Sequence, residues 1–388
     1  MLFGGGPNQE MHLPAPKFDI HGSRKPFIHD AISIARVVCI LGVVYVHAWT
    51  GLDGHGLELA RGTGQENLRW LLMETFGRSA VPLLGLISGW LVAGSARTRD
   101  WRRHIRRKAQ TILLPMILWN VLALTLVSGT AWLFNLPAPT PHSLRWVIEE
   151  VFILTRNPDI DVQMPFLRDL FLCMVLAPLL VRVSGRALAF VIAAAALCHM
   201  LGAGAPIILR PSILMFFALG IAARRANVAV LTAAWPLPLA LAPFVLLLPV
   251  QLWRDLHAGA SAPGAWGAAL DLPVRVAASL CFWRVSCALA QGRAASVLLK
   301  IEPFAFFLFC SHLILIWLGG PLLGLLFGKL GSPNYPAYLL TQPLMVLACV
   351  VALGSLLRRM APGLALVLSG GRLRPPSGPA LSAKAALA

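Results

Sequence analysis

Apolar residues are concentrated in ten long stretches of the chain that are separated by short polar loops. Each stretch is long enough, or nearly so, for a helix to cross a membrane, which takes about 20 residues. The pattern therefore predicts an all-α, polytopic transmembrane helix bundle of about ten spans. The predicted spans are 31–50, 78–96, 110–134, 166–184, 187–205, 207–223, 228–252, 268–290, 303–327 and 335–357.

The composition is that of a membrane protein. Hydrophobic residues make up 57% of the 388 residues and charged residues only 13%, and the mean hydropathy is +0.73. Soluble domains carry about twice this share of charged residues. The two ends differ from the rest, because they are polar or rich in Gly, Pro and Ala. We therefore expect a disordered leader over 1–28, a membrane domain over 29–359 and a disordered tail over 360–388.

Basic residues are distributed unequally between alternate loops. The loop 97–108 holds seven basic residues and one acid, whereas the loop 135–165 holds four acids and two arginines. The positive-inside rule therefore predicts that the basic loops and both termini are cytoplasmic. This asymmetry explains the net charge of +17. The basic clusters are short and lie at helix ends, so the lipid bilayer is the expected partner and nucleic acid is not.

The first apolar stretch carries an arginine and a histidine, Arg36 and His47, eleven positions apart. On a helix, eleven steps of about 100° bring the second side chain to within about 20° of the first, about 16 Å along the axis. An ionisable residue in a membrane helix is costly unless it faces the bundle interior or a polar cavity. The pair predicts a polar passage that connects one side of the bilayer with its interior.

His47 has a structural and a functional interpretation. It is either a histidine that hydrogen-bonds to a neighbouring span or a reactive group in the passage. Because imidazole titrates near neutral pH, it can take the proton of an alcohol during acyl transfer. It can also carry the acyl group covalently. The sequence leaves these alternatives open.

The basic loop has two interpretations as well. Its last seven residues include Arg103, Arg106, Arg107 and Lys108 at the start of the third span. Such a cluster anchors a protein at anionic lipid. Arginine also binds phosphate oxygens in a bidentate manner, so a phosphorylated cytoplasmic ligand is the second interpretation.

Further charged residues lie in or beside the spans. Arg168 and Asp169 open the fourth span and Arg210 lies near the sixth, and we expect these three to bind a substrate from the outer side. Arg284 lies nearest the middle of a span and must face the bundle interior or water. The alternative to an enzyme is a transporter or flippase of a polar, glycan-related substrate that uses Arg36, Asp169 and Arg284 as binding or relay groups.

Six fragments along the chain resemble, in order, the motifs of one protein family. They are Arg36 with His47, then 80–90, 106–119, 166–170, 216–220 and 309–312. On these motifs the chain resembles the acyltransferase-3 family of integral membrane acyltransferases over about 27–359. It departs from the family pattern at Pro165, where an aromatic residue is usual, and at Met116, where a tyrosine is usual.

The resemblance implies an enzyme of the bacterial plasma (inner) membrane. Such enzymes take an acetyl or succinyl group from cytoplasmic acyl-CoA and place it on a hydroxyl group of a surface or exported glycan. The resemblance assigns catalysis to His47 with Arg36. It assigns contacts with the donor to Arg103 and Arg106, or to Arg107 and Lys108 in the alternative alignment.

The same resemblance predicts the ligands and partners. Acyl-CoA, with acetyl-CoA as the first candidate, is expected as a donor substrate rather than as a permanently bound cofactor, and no metal is implied. The expected partners are the acyl-CoA, a glycan or other hydroxyl acceptor, the bilayer and polysaccharide-export machinery.

Overall fold

A computed structural model describes residues 24–78, 80–257 and 264–375, and within these ranges the chain forms helices and no β-strand. This agrees with the predicted all-α class. Most of the predicted leader and residues 376–388 of the predicted tail lie outside the described residues. The helices are α1 (Arg24–Val46), α2 (Gly54–Leu59), α3 (Gly64–Leu72), α4 (Val81–Ala93), α5 (Trp101–Lys108), α6 (Leu114–Ala123), α7 (Gly129–Phe134), α8 (Leu144–Phe152), α9 (Pro165–Leu180), α10 (Gly185–Met200), α11 (Pro211–Arg225), α12 (Val228–Ala233), α13 (Leu237–His257), α14 (Ala265–Gln291), α15 (Ala295–Phe327), α16 (Tyr335–Met360) and α17 (Pro362–Leu368).

Seven helical stretches in the described part of the chain are long and apolar enough to cross a membrane. Three other predicted spans correspond to α9, α10 and α11, which have 16, 16 and 15 residues. These are shorter than the about 20 residues that a perpendicular crossing takes. The seven long stretches are Phe27–Val46, Gly64–Ala93, Trp101–Phe134, Leu237–Asp255, Ala265–Gln291, Ala295–Phe327 and Tyr335–Met360.

The first helix is the central helix of the bundle. α1 packs against α14, α15 and α16, and its residues Ile34, Ala35 and Cys39 are completely buried. A helix that is apolar on all sides is stable only when other apolar helices surround it. The position of α1 therefore places Arg36 and His47 inside the protein.

Close packing of α4 against α11 depends on glycine. A Cβ atom at Gly89 would collide with the carbonyl oxygen of Phe217, and one at Gly220 would collide with that of Leu86. Small residues let membrane helices approach closely enough for their backbones to touch. This contact fixes two walls of the interior space next to α1.

The basic loop is helical rather than extended. α5 begins after Asp100, whose carboxylate accepts a hydrogen bond from the backbone N–H of Arg103, as an N-cap does. The helix continues through a π-helical turn, Ala109–Leu113, into α6. Because the helix is continuous, the cationic side chains of α5 point in fixed directions.

The chain remains ordered beyond the predicted boundary at residue 359. Against the prediction of a disordered tail from 360, α17 packs onto the bundle, with Ala365, Leu368 and Leu373 buried. The apolar run from Leu364 to Leu368 is too short to span a membrane, and the Pro- and Gly-rich flanks make the segment resemble a linker. Burial of that short run against α6 and α16 is what orders it.

Candidate functional site

The larger cavity lies beside the middle of α1 and has a volume of about 800 Å³. We call it the basic cavity, because six cationic side chains and a single carboxylate, that of Glu302, line it. Its apolar wall includes Ile40, Leu84 and Phe306. The cations are Arg36, Arg97, Arg103, Arg107, Lys108 and Arg372.

Arg36 forms an ion pair across the bundle. Its Nη1 atom lies 3.2 Å from Oε1 of Glu302 on α15, and both side chains remain partly exposed to the cavity. A half-buried ion pair holds the guanidinium in one orientation while leaving its other N–H groups free to bind an anion. The pair therefore orients a phosphate- or carboxylate-binding group at the inner wall of the basic cavity.

One face of α5 forms the mouth of the basic cavity. Three of the four residues predicted to bind the donor line it, Arg103, Arg107 and Lys108. Arg106 does not line it and belongs instead to a shallow hollow with Trp101 and Arg102. The cavity-facing positions of α5 fall within an arc of about 140°, and Arg106 lies about 60° outside that arc. The structure therefore does not bring Arg106 into the basic cavity with the other predicted donor-binding residues.

The smaller cavity has a volume of about 500 Å³ and contains His47. We call it the histidine cavity. No carboxylate among the residues that the structure describes lines it. Two of its three arginines form ion pairs with carboxylates outside the lining, Arg78 with Glu74 and Arg275 with Asp271. Its basic side chains are His47, Arg78, His199, Arg210 and Arg275.

His47 follows the last residue of α1 and packs near a second histidine. The ring centroids of His47 and His312 lie 5.3 Å apart. Nδ1 of His312 lies 3.1 Å from the carbonyl oxygen of Leu308 and 2.9 Å from that of Phe309. A carbonyl oxygen only accepts hydrogen bonds, so Nδ1 carries the hydrogen, and Nε2 of the neutral ring holds the lone pair. That Nε2 atom is buried with no hydrogen-bond partner among the described atoms.

Two aromatic rings lie between the two cavities. Phe166 of α9 and Phe309 of α15 line both of them, and their ring centroids are 5.6 Å apart. The sequence predicts one continuous passage that both Arg36 and His47 face. The structure differs from this prediction. Each faces its own cavity, and the two cavities meet at this pair of rings.

Arg168 and Asp169 form an ion pair that also bonds to the backbone of neighbouring loops, and we call this arrangement the latch. Nη1 of Arg168 lies 2.7 Å from Oδ1 of Asp169, and Arg168 also donates to the carbonyl oxygens of Leu154, Pro206 and Ile207. Neither residue lines a cavity. The structure therefore does not bring these two predicted substrate-binding residues into either cavity, and their polar atoms bond to backbone groups instead.

The latch nevertheless positions the third predicted residue. The completely buried carboxylate of Asp169 accepts hydrogen bonds from the backbone N–H groups of Leu209, at 3.3 Å, and Arg210, at 2.8 Å. The side chain of Arg210 lines the histidine cavity and donates to the carbonyl oxygen of Val162, at 3.0 Å. Of the three residues predicted to bind substrate, only Arg210 shares a cavity with His47.

Replacing Asp169 with alanine is expected to destabilise the protein. The change leaves Arg168 without its ion-pair partner and two backbone N–H groups without an acceptor, a loss of about 3 to 5 kcal/mol. Thermal unfolding in detergent should show a drop in Tm of several degrees. Glu58→Gln, at an exposed position, is the control and should leave Tm unchanged. An equally small effect of Asp169→Ala would mean that the latch does not hold the loop that contains Leu209 and Arg210.

The polar groups of three other residues, Ser88, Asn120 and Arg284, hydrogen-bond to backbone carbonyl oxygens. Ser88 lines the basic cavity, but its hydroxyl group donates to the carbonyl oxygen of Leu84. Asn120, a second polar residue in a span, donates to the carbonyl oxygen of Val151 and lines neither cavity. Arg284 faces the bundle and donates to the carbonyl oxygen of Trp235. Of the three residues named for the transporter alternative, Arg36 lines the basic cavity, whereas Arg284 and Asp169 line neither cavity.

Two residues of the site were not assigned from the sequence. Glu302 directly precedes the predicted span 303–327, and its partner Arg36 lies 266 positions away in the chain. Arg372 lies in the segment predicted to be a disordered tail, and no sequence signal marks it. No group of three or more His, Cys, Asp or Glu residues in the described part of the chain is arranged to hold a metal ion.

Comparison with known proteins adds two findings to this geometry. The sequence model of the acyltransferase-3 family, described as an acyltransferase domain, matches residues 29–356. The succinoglycan biosynthesis protein ExoH of Rhizobium meliloti (strain 1021) is 29% identical over 364 residues, which is 88% of this chain and 92% of that protein. No solved structure matches the chain.

Proposed function

Because the chain belongs to the acyltransferase-3 family and is a multi-pass membrane acyltransferase, we propose that it acylates a glycan with acyl-CoA as donor. In this proposal acyl-CoA occupies the basic cavity, and the acceptor hydroxyl group enters the histidine cavity. The observation that carries the proposal is the meeting of these two chemically different cavities at Phe166 and Phe309. A reaction between a donor from one side and an acceptor from the other needs this arrangement.

The basic cavity has the charge and the walls that acyl-CoA requires. Its cations match the phosphates of CoA, since arginine binds phosphate oxygens with two parallel hydrogen bonds. Its apolar wall can pack against the pantetheine arm. The volume of about 800 Å³ lies in the range of cofactor-sized sites. The acyl group can be acetyl or succinyl, and both donors belong in the test.

The histidine cavity has the groups that acyl transfer to an alcohol requires. His47 takes the proton of the acceptor hydroxyl group, and the hydroxyl oxygen then attacks the thioester carbonyl. The C–S bond breaks, and CoA leaves as a thiol after it takes up a proton. In the alternative, a ring nitrogen of His47 attacks first and carries the acyl group to the acceptor. In both mechanisms, the thioester must reach past Phe166 and Phe309.

Arg210 is the proposed donor of hydrogen bonds to the developing oxyanion. It lines the same cavity as His47 and forms no ion pair with a carboxylate in the described part of the chain. A preorganised cation near the reacting carbonyl group stabilises the negative charge of the tetrahedral intermediate. The backbone hydrogen bond from Arg210 to Asp169 holds the base of this side chain in place.

A glycan acceptor and an orientation in the membrane follow from separate observations. The similarity to a succinoglycan biosynthesis protein supports a polysaccharide or its precursor as acceptor. The predicted cytoplasmic loop 97–108 touches the residues after α9, since Arg182 donates to the carbonyl oxygen of Arg99. Arg103, Arg107 and Lys108 of this loop line the basic cavity. The proposal therefore puts the basic cavity on the cytoplasmic side of the bacterial inner membrane, with polysaccharide-export machinery as the partner on the acceptor side.

Neighbouring residues of α5 provide a matched test of donor binding. Arg107→Gln is expected to raise the Kd for acetyl-CoA or succinyl-CoA about tenfold, because it removes a charge-assisted hydrogen bond to phosphate. Arg106→Gln should leave Kd unchanged, because Arg106 faces away from the basic cavity. Titration of the purified protein with each donor measures both values. Equal effects of the two substitutions would contradict the proposed donor site.

The product identifies the acyl group and the acceptor. Cells with and without the protein should differ in the mass of a surface or exported glycan by one acyl group per modified hydroxyl group. Purified protein that binds neither acyl-CoA donor would contradict the proposal as a whole.

A further inference from the structure

The segment after α16 contributes to the wall of the basic cavity, although it lies beyond the residues matched by the family. Gly370, Gly371 and Arg372 line this cavity together with α1, α5 and α15. The segment is anchored to the bundle, because the indole N–H of Trp119 donates to the carbonyl oxygen of Leu368 at 3.0 Å. The C-terminal segment of the chain therefore forms the cavity wall on this side.

A tight turn delivers Arg372 to the cavity. Gly370 and Gly371 have φ angles of +59° and +85°, which favour glycine. A Cβ atom at Gly370 would also collide with the carbonyl oxygen of Thr111. The hydroxyl oxygen of Ser369 accepts hydrogen bonds from the backbone N–H groups of Arg372, at 3.1 Å, and Leu373, at 2.9 Å. The turn and these bonds fix the base of the Arg372 side chain.

The guanidinium of Arg372 has no anionic partner of its own. It lies 4.1 Å from the centre of the Phe306 ring, and Nη1 donates to the carbonyl oxygen of Ser369 at 3.0 Å. No carboxylate in the described part of the chain forms an ion pair with it. Burial and the nearby charge of Arg36 lower the pKa of Arg372 to about 10, so the side chain is cationic at neutral pH. A cation in this position is stabilised when an anion enters the cavity.

We propose that the segment 361–375 completes the donor site and that Arg372 binds a phosphate group of acyl-CoA. This inference rests on the proposed function, which supplies the identity of the anion. Stacking on Phe306 and the bond to Ser369 hold the guanidinium plane, and Arg372 lines the basic cavity together with Arg36 and Lys108. Three cations from three parts of the chain then surround the same phosphate-binding space.

The test compares donors with and without phosphate groups. We expect Arg372→Gln in the full-length protein, in phosphatidylcholine nanodiscs, to raise the Kd for acetyl-CoA on the order of tenfold. Arg372→Lys should retain part of the affinity. Arg374→Gln, at an exposed position two residues further on, should bind like the unmodified protein. With acetyl-pantetheine, which has no phosphate group, Arg372→Gln and the unmodified protein should transfer acetyl at the same rate.

Each other outcome is informative. An unchanged Kd for acetyl-CoA in Arg372→Gln would overturn the inference. An equal loss of acetyl transfer from acetyl-CoA and from acetyl-pantetheine would also overturn it, because it would show a structural role only. If the unmodified protein binds added phosphatidylglycerol and Arg372→Gln does not, while the Kd for acetyl-CoA is unchanged, the residue binds a lipid headgroup instead. If the unmodified protein binds no acyl-CoA, the proposed function fails together with this inference. If it binds and Arg372→Gln binds equally well, only the inference fails.

Discussion

Replacing His47 with alanine is expected to reduce glycan acylation by a factor of about 10² to 10⁴ while leaving the Kd for acyl-CoA unchanged. The rate falls because the variant lacks the imidazole that accepts the hydroxyl proton in the proposed mechanism. Donor affinity is retained because His47 lines the histidine cavity and not the basic cavity. Transfer of labelled acetyl from acetyl-CoA to the glycan fraction of membranes, together with a binding titration, measures both quantities.

The control for this experiment is a histidine outside both cavities. His55 of α2 is exposed, and His55→Ala should retain full activity. Normal acylation by His47→Ala would rule out the proposed mechanism. Incubation with acyl-CoA in the absence of acceptor, followed by mass analysis of the peptide that contains His47, separates the two chemical roles. An acylated peptide indicates a covalent intermediate, and an unmodified one indicates a general base.

The Arg36–Glu302 pair is expected to respond asymmetrically to substitution. Arg36→Gln should raise the Kd for acyl-CoA about 10- to 100-fold, since a hydrogen bond from a charged group contributes about 1.5 to 3 kcal/mol. Glu302→Gln should not raise Kd, because it removes the single carboxylate among the lining residues of the basic cavity, and this carboxylate repels phosphate. It should instead lower turnover, because Arg36 loses the partner that orients it.

The comparison of Kd and kcat for the two variants decides between a binding role and a purely structural role. If both substitutions raise Kd by the same factor, the pair only holds α1 against α15. The double variant Arg36→Gln/Glu302→Gln provides the cycle that measures their coupling. Thermal unfolding of all three variants shows whether a lost fold accounts for any loss of binding.

The sequence predicted the helical class and the central pair of residues because both depend on local properties. Hydropathy over about 20 residues marks a membrane helix wherever it occurs in a chain. The spacing of Arg36 and His47 on one helix follows from the helical period alone. The structure agrees that both face polar space inside the bundle, with Arg36 in one cavity and His47 in the other.

Predictions that depended on more than one helix were less accurate. The basic residues of α5 were recognised as a cluster in the sequence. The sequence does not show which face of α5 packs against α9 and lines the basic cavity. Arg107 and Arg106 are neighbours in the sequence, yet only Arg107 lines the basic cavity. Adjacent charges such as Arg168 and Asp169 predicted a ligand site, whereas backbone groups from a distant loop satisfy them.

The amino-acid sequence by itself determined that this protein is a bundle of apolar helices with an arginine in its first helix and a histidine at the end of that helix. Hydrophobic pattern and helical period are properties of consecutive residues, so no knowledge of the partners was needed. Only the tertiary structure decided that Glu302 faces Arg36, that Phe166 and Phe309 divide the interior, and that the C-terminal turn brings Arg372 into the basic cavity. Such contacts join residues far apart in the chain, and their formation depends on how helices pack rather than on the local sequence of either partner.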